Sequence, residues 1–299
     1  MIWLQNLFNF LGLSLLRLFA FLPYTFTVYV GYGLGWLAAH IPNSRARVVK
    51  TNLRLCFPDL NDQEIENLAI EHWKLFGRSV IERSRVWLGT SNQILSFVEL
   101  KSEVPLGDRK PRILVNPHFV GLEGGFMALS ALGMKNGWPR GAGLYQKMKN
   151  PFFNQKMVEW RNRFGAKSIE RQSRLRDLIR ETRSGNFVVI APDIDLGPRD
   201  SIFVPFFNIP TSTVTSVSRL AKLSGAEVCL MTTLLNDAKT GYTCTIGAPI
   251  VNFPSEDPEK DTARLNQYIE ELVRERPAEY YWVHKRFKHR PEGEPSLYE

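Results

Sequence analysis

Within the stretch Asn116-Pro117-His118-Phe119-Val120-Gly121-Leu122-Glu123, a histidine and a carboxylate are separated by four residues. A neutral imidazole can take the proton of an alcohol near neutral pH. A carboxylate on its second ring nitrogen fixes the tautomer and stabilises the imidazolium that forms. Such a pair suits acyl transfer to a hydroxyl group. By spacing alone, a capping histidine beside a solvated Glu123 explains the same residues, so the surrounding elements must decide. Of the five histidines, only His118 follows a strand directly. His40 borders an apolar segment, His72 falls on a predicted helix face, and His284 and His289 lie in a basic tail.

The elements around His118 alternate. An apolar strand is expected over Arg112–Val115 and a helix over Gly121–Met134. His118 then precedes the helix and Glu123 sits in its first turn, within reach of the ring. The free N–H groups of that turn disfavour imidazolium and can face an oxyanion. Further strands are read at 141–145, Phe187–Ala191, Glu227–Leu235 and Tyr242–Ile246. Helices are read at 61–88, capped by Asn61 or Asp62, and at 151–164, 173–184, 213–224 and 259–274. Residues 42–60 read as a basic turn region. The alternation predicts an α/β fold with a mainly parallel central sheet flanked by helices. Ligands of such sheets bind beyond the carboxyl ends of the strands, where His118 is expected.

The N-terminus is of another character. Residues 2–41 carry one formal charge, Arg17, and Leu18–Ile41 carry none. A run of about 20 apolar residues can cross a bilayer. Pro23 suggests a break, which would leave residues 2–22 lying in the interface. Residues 1–41 are therefore expected to be an N-terminal membrane-anchoring helix, with the catalytic domain over 42–299. Arg45, Arg47, Lys50 and Arg54 follow it and put that side in the cytoplasm. A helical hairpin buried in a soluble core is the alternative, because Gly31, Gly33 and Gly35 would also serve helix packing. Cys56, Cys229 and Cys244 show no paired spacing and read as buried thiols.

The net charge is +8. Residues 147–183 hold eleven Lys or Arg against four acids, seven of the eight net charges. Such a concentration suits a phosphorylated or acidic partner, although a solvated helix face is the plainer reading of any one residue. The apolar segment and the lack of a docking motif argue against nucleic acid.

Several segments together resemble the late acyltransferases of lipid A biosynthesis, the lauroyl and myristoyl transferases. His118 through Glu123 is similar to their His-x-x-x-x-Asp/Glu motif. Tyr145…Lys149-Asn150-Pro151, Arg161-Asn162-Arg163, Ala191-Pro192-Asp193-Ile194-Asp195 and Phe203-Val204-Pro205-Phe206-Phe207 follow in the family's order. So does a long C-terminal block from Tyr281 through His284, Phe287, Arg290 and Gly293 to Tyr298. The Asn52…Cys56-Phe57-Pro58 segment extends the resemblance to nearly the whole chain. Ile194 stands where Gln is common, and Glu170-Arg171 where Gly-Arg is usual. The resemblance implies catalysis by His118 and Glu123, with Arg163, Asp193, Lys149, Asn150 and Arg171 at the substrate. It implies an acyl-acyl carrier protein donor, a hydroxyl on a Kdo-modified lipid A precursor as acceptor, the bacterial inner membrane as the location, and no metal or organic cofactor.

Other readings remain at this point. Asp193 and Asp195 could be a metal-binding pair of a glycosyltransferase, or Asp193 could hydrogen-bond the catalytic loop with Asp195 beside it. Glycerophospholipid acyltransferases share the His-x-x-x-x-Asp spacing but usually carry a mid-chain Pro-Glu-Gly block. Here that tripeptide is confined to 291–293. A non-catalytic membrane-bound adaptor is the non-enzymatic alternative.

Overall fold

Pro23 divides the apolar N-terminus into two helices, α1 (Ile2–Phe21) and α2 (Tyr24–His40). The computed structural model describes residues 2–171 and 175–298. After α2 come α3 (Ser44–Cys56), α4 (Asp62–Leu88) and α5 (Ser91–Leu95). An α/β part follows: β1 (Val98–Ser102), β2 (Arg112–Val115), α6 (Leu122–Asn136), β3 (Gly141–Tyr145), α7 (Pro151–Asn162), β4 (Lys167–Glu170), α8 (Leu175–Arg183) and β5 (Phe187–Ile190). The chain continues through a hairpin, β6 (Ser201–Phe206) and β7 (Ile209–Val214), then α9 (Ser216–Ser224), β8 (Glu227–Leu235), β9 (Tyr242–Pro249) and α10 (Pro258–Glu275).

Seven strands form one sheet in the order β1-β9-β8-β2-β5-β3-β4. Every pairing in it is parallel except β8 with β9. All residues of β2 and β5 are buried, as expected of central strands covered on both faces. Leu114 packs with Met127 and Leu129 of α6 on one face. Ile113 and Val115 pack with Leu178 of α8 and Leu220 of α9 on the other. The mainly parallel sheet flanked by helices is thus present. A further core joins Leu53 of α3, Ile65 of α4, Phe206 of β6 and Ile269 of α10 to Trp282 and Phe287 of the C-terminal segment.

The region 42–60, expected to be a turn, holds α3. The Asn43 side chain caps it by accepting from Ala46 N–H (2.8 Å). Ala46, Val49, Leu53 and Cys56 are buried, while Arg45, Arg47 and Arg54 face outward. One amphipathic helix therefore explains both the basic character and the apolar spacing. All three cysteines are free and buried.

The expected transmembrane helix is corrected. Among the described residues no helix is long and apolar enough to cross a membrane. Pro23 ends the apolar run of α1, and α2 spends one side on α4. A Cβ at Gly31 would lie 2.5 Å from Arg78 Cα, and one at Gly35 would lie 2.1 Å from the Trp73 carbonyl oxygen. These glycines bring the two backbones into contact. α2 leaves Phe26, Tyr29, Leu34, Trp36 and Leu37 exposed, and α1 exposes Phe10, Leu11, Leu15 and Leu18.

His72 of α4 is fully buried. Its Nδ1–H donates to the Ala278 carbonyl (3.1 Å), and its Nε2 has no partner among the described residues. Burial pushes its pKa down to about 4, with the Ala278 bond opposing in part. A histidine whose folded pKa is depressed contributes stability that is whole above its unfolded pKa, near 6.5. That stability is lost as pH falls from there toward about 4. The slope is ~1.4 kcal/mol per pH unit for a single group. We expect the urea stability of the wild type to fall more steeply between pH 6.5 and 5 than that of His72→Gln, by ~1 kcal/mol per pH unit. Equal slopes would show that His72 does not titrate on unfolding.

Candidate active site

β2 and β5 are parallel neighbours, with Val115 opposite Ile190. Three residues beyond each lie His118 and Asp193, so the register brings them together at the carboxyl edge of the sheet. Asp193 Oδ1 is 2.8 Å from His118 Nδ1, and its Oδ2 accepts from the His118 backbone N–H (2.9 Å). An ionised carboxylate only accepts, so Nδ1 carries the proton and the lone pair is on Nε2. The Asp193 side chain is 1% exposed and that of His118 is 25% exposed. Burial alone would raise the Asp193 pKa. Electrostatic attraction to a protonated His118 ring, together with the ring and backbone N–H bonds from that residue, outweighs it and holds the carboxyl below its ordinary range.

The C-terminal segment fixes the same loop. Phe119 pairs with Tyr280 as an antiparallel bridge, Tyr281 N–H donates to the His118 carbonyl (2.9 Å), and the Tyr280 hydroxyl donates to the Asp193 carbonyl (3.3 Å). Asn52 of α3 holds that segment through the Trp282 and His284 carbonyls (2.7 and 2.8 Å). His284 returns to the site, where its Nε2 accepts from Asp195 N–H (3.0 Å). Burial, then repulsion from Arg286 and from His118 whenever that ring is protonated, push its pKa down to about 4, so it is neutral at physiological pH.

Glu123 has other partners. Arg161 of α7 grips its carboxylate with Nε and Nη2 (2.6 and 2.5 Å), and Trp87 Nε1–H donates to it (2.8 Å). Burial would raise its pKa, but the Arg161 charge and these bonds lower it. The expectation that Glu123 occupies the second nitrogen of His118 is corrected: Asp193, 75 residues further along the chain, is there. Asp195 is likewise engaged, with Oδ1 2.6 Å from His289 Nδ1 and Oδ2 accepting from the His289 backbone N–H (2.8 Å). Each member of the Asp193/Asp195 pair thus clamps a different histidine.

A cavity of about 800 Å3 lies over the carboxyl ends of β2, β5, β3 and β4. His118, Glu123 and Arg161 line it. Phe76, Val86, Trp87, Phe97, Phe126 and Met157 give the lining an apolar part, beside which Glu82, Arg83, Glu123 and Arg161 supply charged groups. Toward α8 and α9 it carries Arg171, Arg199 and Arg219.

The sequence-derived binding residues divide. His118, Glu123 and Arg171 line the cavity, and Asp193 lies directly behind His118. Asn150 caps α7, accepting from Phe152 and Phe153 N–H and donating to Asn9, and Lys149 is exposed; neither lines the cavity. Arg163 is also away from the wall. Its Nη2 donates to the Val86 carbonyl (3.0 Å), its guanidinium sits 4.1 Å over the Phe164 ring, and burial pushes its pKa down to about 10. Arg161 takes the expected position. It follows Met157 by four residues, so both occupy one face of α7, a periodicity legible in the sequence. Much of the charge in 147–183 is spent locally: Lys156 on Glu159, Lys167 on Glu181, and Arg180 on Asp177. Arg174 lies outside the described residues.

Arg163→Ala is therefore expected to cost stability, ~1–2 kcal/mol from the lost hydrogen bond and ring contact, with turnover within about threefold of wild type. Urea unfolding and steady-state kinetics on the same preparation test this. A hundredfold loss of turnover at unchanged stability would return Arg163 to the site.

A sheet-edge histidine clamped by a buried carboxylate, beside a largely apolar cavity in an α/β fold, is an arrangement able to move a proton next to an apolar ligand. The chain belongs to the bacterial lipid A biosynthesis acyltransferase family, whose model matches residues 2–289, and it is an acyltransferase. It is 32% identical over 299 residues to the lipid A biosynthesis lauroyltransferase of Escherichia coli K12, covering 97% of this chain and 94% of that one. It is also 32% identical over 296 residues to a lipid A biosynthesis acyltransferase of Haemophilus influenzae, with 97% and 93% coverage. Its identity to the E. coli lipid A biosynthesis palmitoleoyltransferase is 30% over 300 residues, with 96% and 93% coverage.

Proposed function

We propose that this enzyme transfers a fatty acyl chain from acyl-acyl carrier protein to a hydroxyl on a hydroxyacyl chain of a Kdo-modified lipid A precursor. His118 Nε2 takes the acceptor hydroxyl proton as the oxygen attacks the thioester carbonyl. The tetrahedral intermediate collapses with cleavage of the C–S bond, and the imidazolium returns the proton to the departing thiolate. Asp193 holds the ring in the productive tautomer and stabilises its charged form. Arg161 spends two of its five N–H donors on Glu123. The others are available to the oxyanion, so Glu123 acts by holding Arg161 in place. The reaction as written uses side chains alone.

The observation that carries this reading is the Asp193 clamp on His118 Nδ1, which leaves Nε2 as the base at a cavity with an aromatic and aliphatic wall. That wall suits an acyl chain. The exposed apolar side chains of α1 and α2 support seating of residues 1–41 at the bacterial inner membrane, with the active site on the cytoplasmic side. The test is incubation of the purified chain in detergent with acyl-carrier protein thioester and Kdo-modified precursor. A product heavier than the precursor by one acyl residue is expected. Acylation of a lysoglycerophospholipid in its place, or of neither acceptor, would overturn the assignment.

A further inference from the structure

The basic end of the cavity has no part in the chemistry above. Its three arginines come from separate segments. Arg171 directly follows β4, where its backbone N–H donates to the Tyr145 carbonyl (2.9 Å). Arg199 is in the loop between β5 and β6, and Arg219 is in the first turn of α9. Thr215 N–H donates to the Asp200 carbonyl (3.3 Å), which ties the Arg199 loop to the start of α9. All three side chains are exposed and line the cavity.

Among the described residues none of the three forms an ion pair. Arg171 Nη1 donates to Gln146 Oε1 (3.2 Å), and among the described residues no side-chain hydrogen bond is found for Arg199 or Arg219. Nearby cations differ: Arg140 and Lys167 share Glu181, and Lys222 meets Glu256. The lining carboxylates Glu82 and Glu123 are taken by Arg78 and Arg161, leaving Asp200 at the basic end. Three cations against one carboxylate on a concave wall attract an anion strongly.

The donors favour a tetrahedral oxyanion. Guanidinium forks match phosphate oxygens two at a time. Thr215 and Ser216 line the same wall with hydroxyl groups. The Thr215 side chain makes no cap on α9, so the first-turn N–H groups of that helix are not satisfied by it.

We infer that Arg171, Arg199 and Arg219 form a phosphate-binding subsite that anchors a phosphate ester of a substrate while its acyl chemistry proceeds at His118. The inference rests on the proposed reaction for the substrate's identity. Two sources of that phosphate fit it, the sugar phosphates of the glycolipid acceptor and the phosphodiester of the carrier protein's pantetheine arm.

The test has two arms. In the first, inorganic phosphate is titrated calorimetrically into the full chain in detergent. Saturable binding is expected. The Arg199→Gln/Arg219→Gln double variant should bind it roughly tenfold to hundredfold more weakly. Lys101→Gln, which removes a charge on β1 outside the cavity lining, should match wild type. In the second arm, KM is measured for a phosphorylated acceptor, the same acceptor after phosphatase treatment, and the acylated carrier protein. A rise in KM by a similar factor confined to the phosphorylated acceptor supports the subsite and assigns the phosphate to the glycolipid. A rise confined to the carrier supports it and assigns the pantetheine phosphate. No saturable phosphate binding by wild type, or a double variant equal to wild type in the titration and in every KM, would overturn it. The titration needs no turnover, so absent acyl transfer with phosphate binding intact would overturn the proposed reaction and leave the subsite standing.

Discussion

His118→Ala is expected to lower acyl transfer about 100-fold to 10,000-fold, the usual cost of losing a general base. The protein should still fold. The Asp193 carboxylate keeps the bond from the backbone N–H of residue 118, and the loop stays fixed by the Phe119–Tyr280 bridge and the Tyr281 N–H bond to its carbonyl. Near-ultraviolet circular dichroism and the urea midpoint report folding independently of turnover. A folded His118→Ala variant with normal turnover would remove His118 from the mechanism.

Asp193→Asn should be comparably damaging, ~1,000-fold to 10,000-fold, with almost no change of shape. Asp193 accepts from two donors, the backbone N–H and the ring Nδ1–H of residue 118. An asparagine side chain has one acceptor oxygen and one NH2 group. If the oxygen keeps the backbone N–H, the NH2 group faces Nδ1. The ring then pairs best with its proton on Nε2, and the base lone pair is no longer directed at the substrate. If the amide turns over, the backbone N–H faces an NH2 group in a buried site. Either arrangement disables the base or disorders its loop. Steady-state kinetics with an Asp193→Glu comparison separates charge from placement. An Asp193→Asn enzyme with the wild-type rate would show that the clamp has no catalytic consequence.

How much of this is legible in sequence differs by residue. His118 stands out because an apolar strand and a glycine-bearing helix start flank it, and both are present at β2 and α6. Its partner is not legible from spacing. Glu123 is near in sequence and Asp193 distant, yet what places Asp193 is that β5 lies beside β2 with Val115 opposite Ile190. Sheet order is a tertiary fact, and the Ala191-Pro192-Asp193-Ile194-Asp195 segment shows two carboxylates without showing which histidine each will hold. For the same reason His284 and His289 read as a basic tail, although they meet Asp195. Strands β3 and β8 match their expected limits to the residue. Shorter or marginal elements do not stand out: β1 and β4 are sheet edges with half-exposed residues, and Pro205 and Pro210 obscure the β6–β7 hairpin. At the N-terminus, Gly31 and Gly35 carry the signal that α2 packs against another helix, a signal hydropathy alone overrides.

The most direct test of His118 as the base in acyl transfer is a single-turnover reaction followed by lipid mass spectrometry. Wild type and His118→Ala, both verified as folded, are mixed with acyl-carrier protein thioester and Kdo-modified precursor and quenched over time. The expected result is acylated precursor from wild type, with formation at least about a hundredfold slower in the variant. Acylated precursor formed by both proteins at one rate would contradict it.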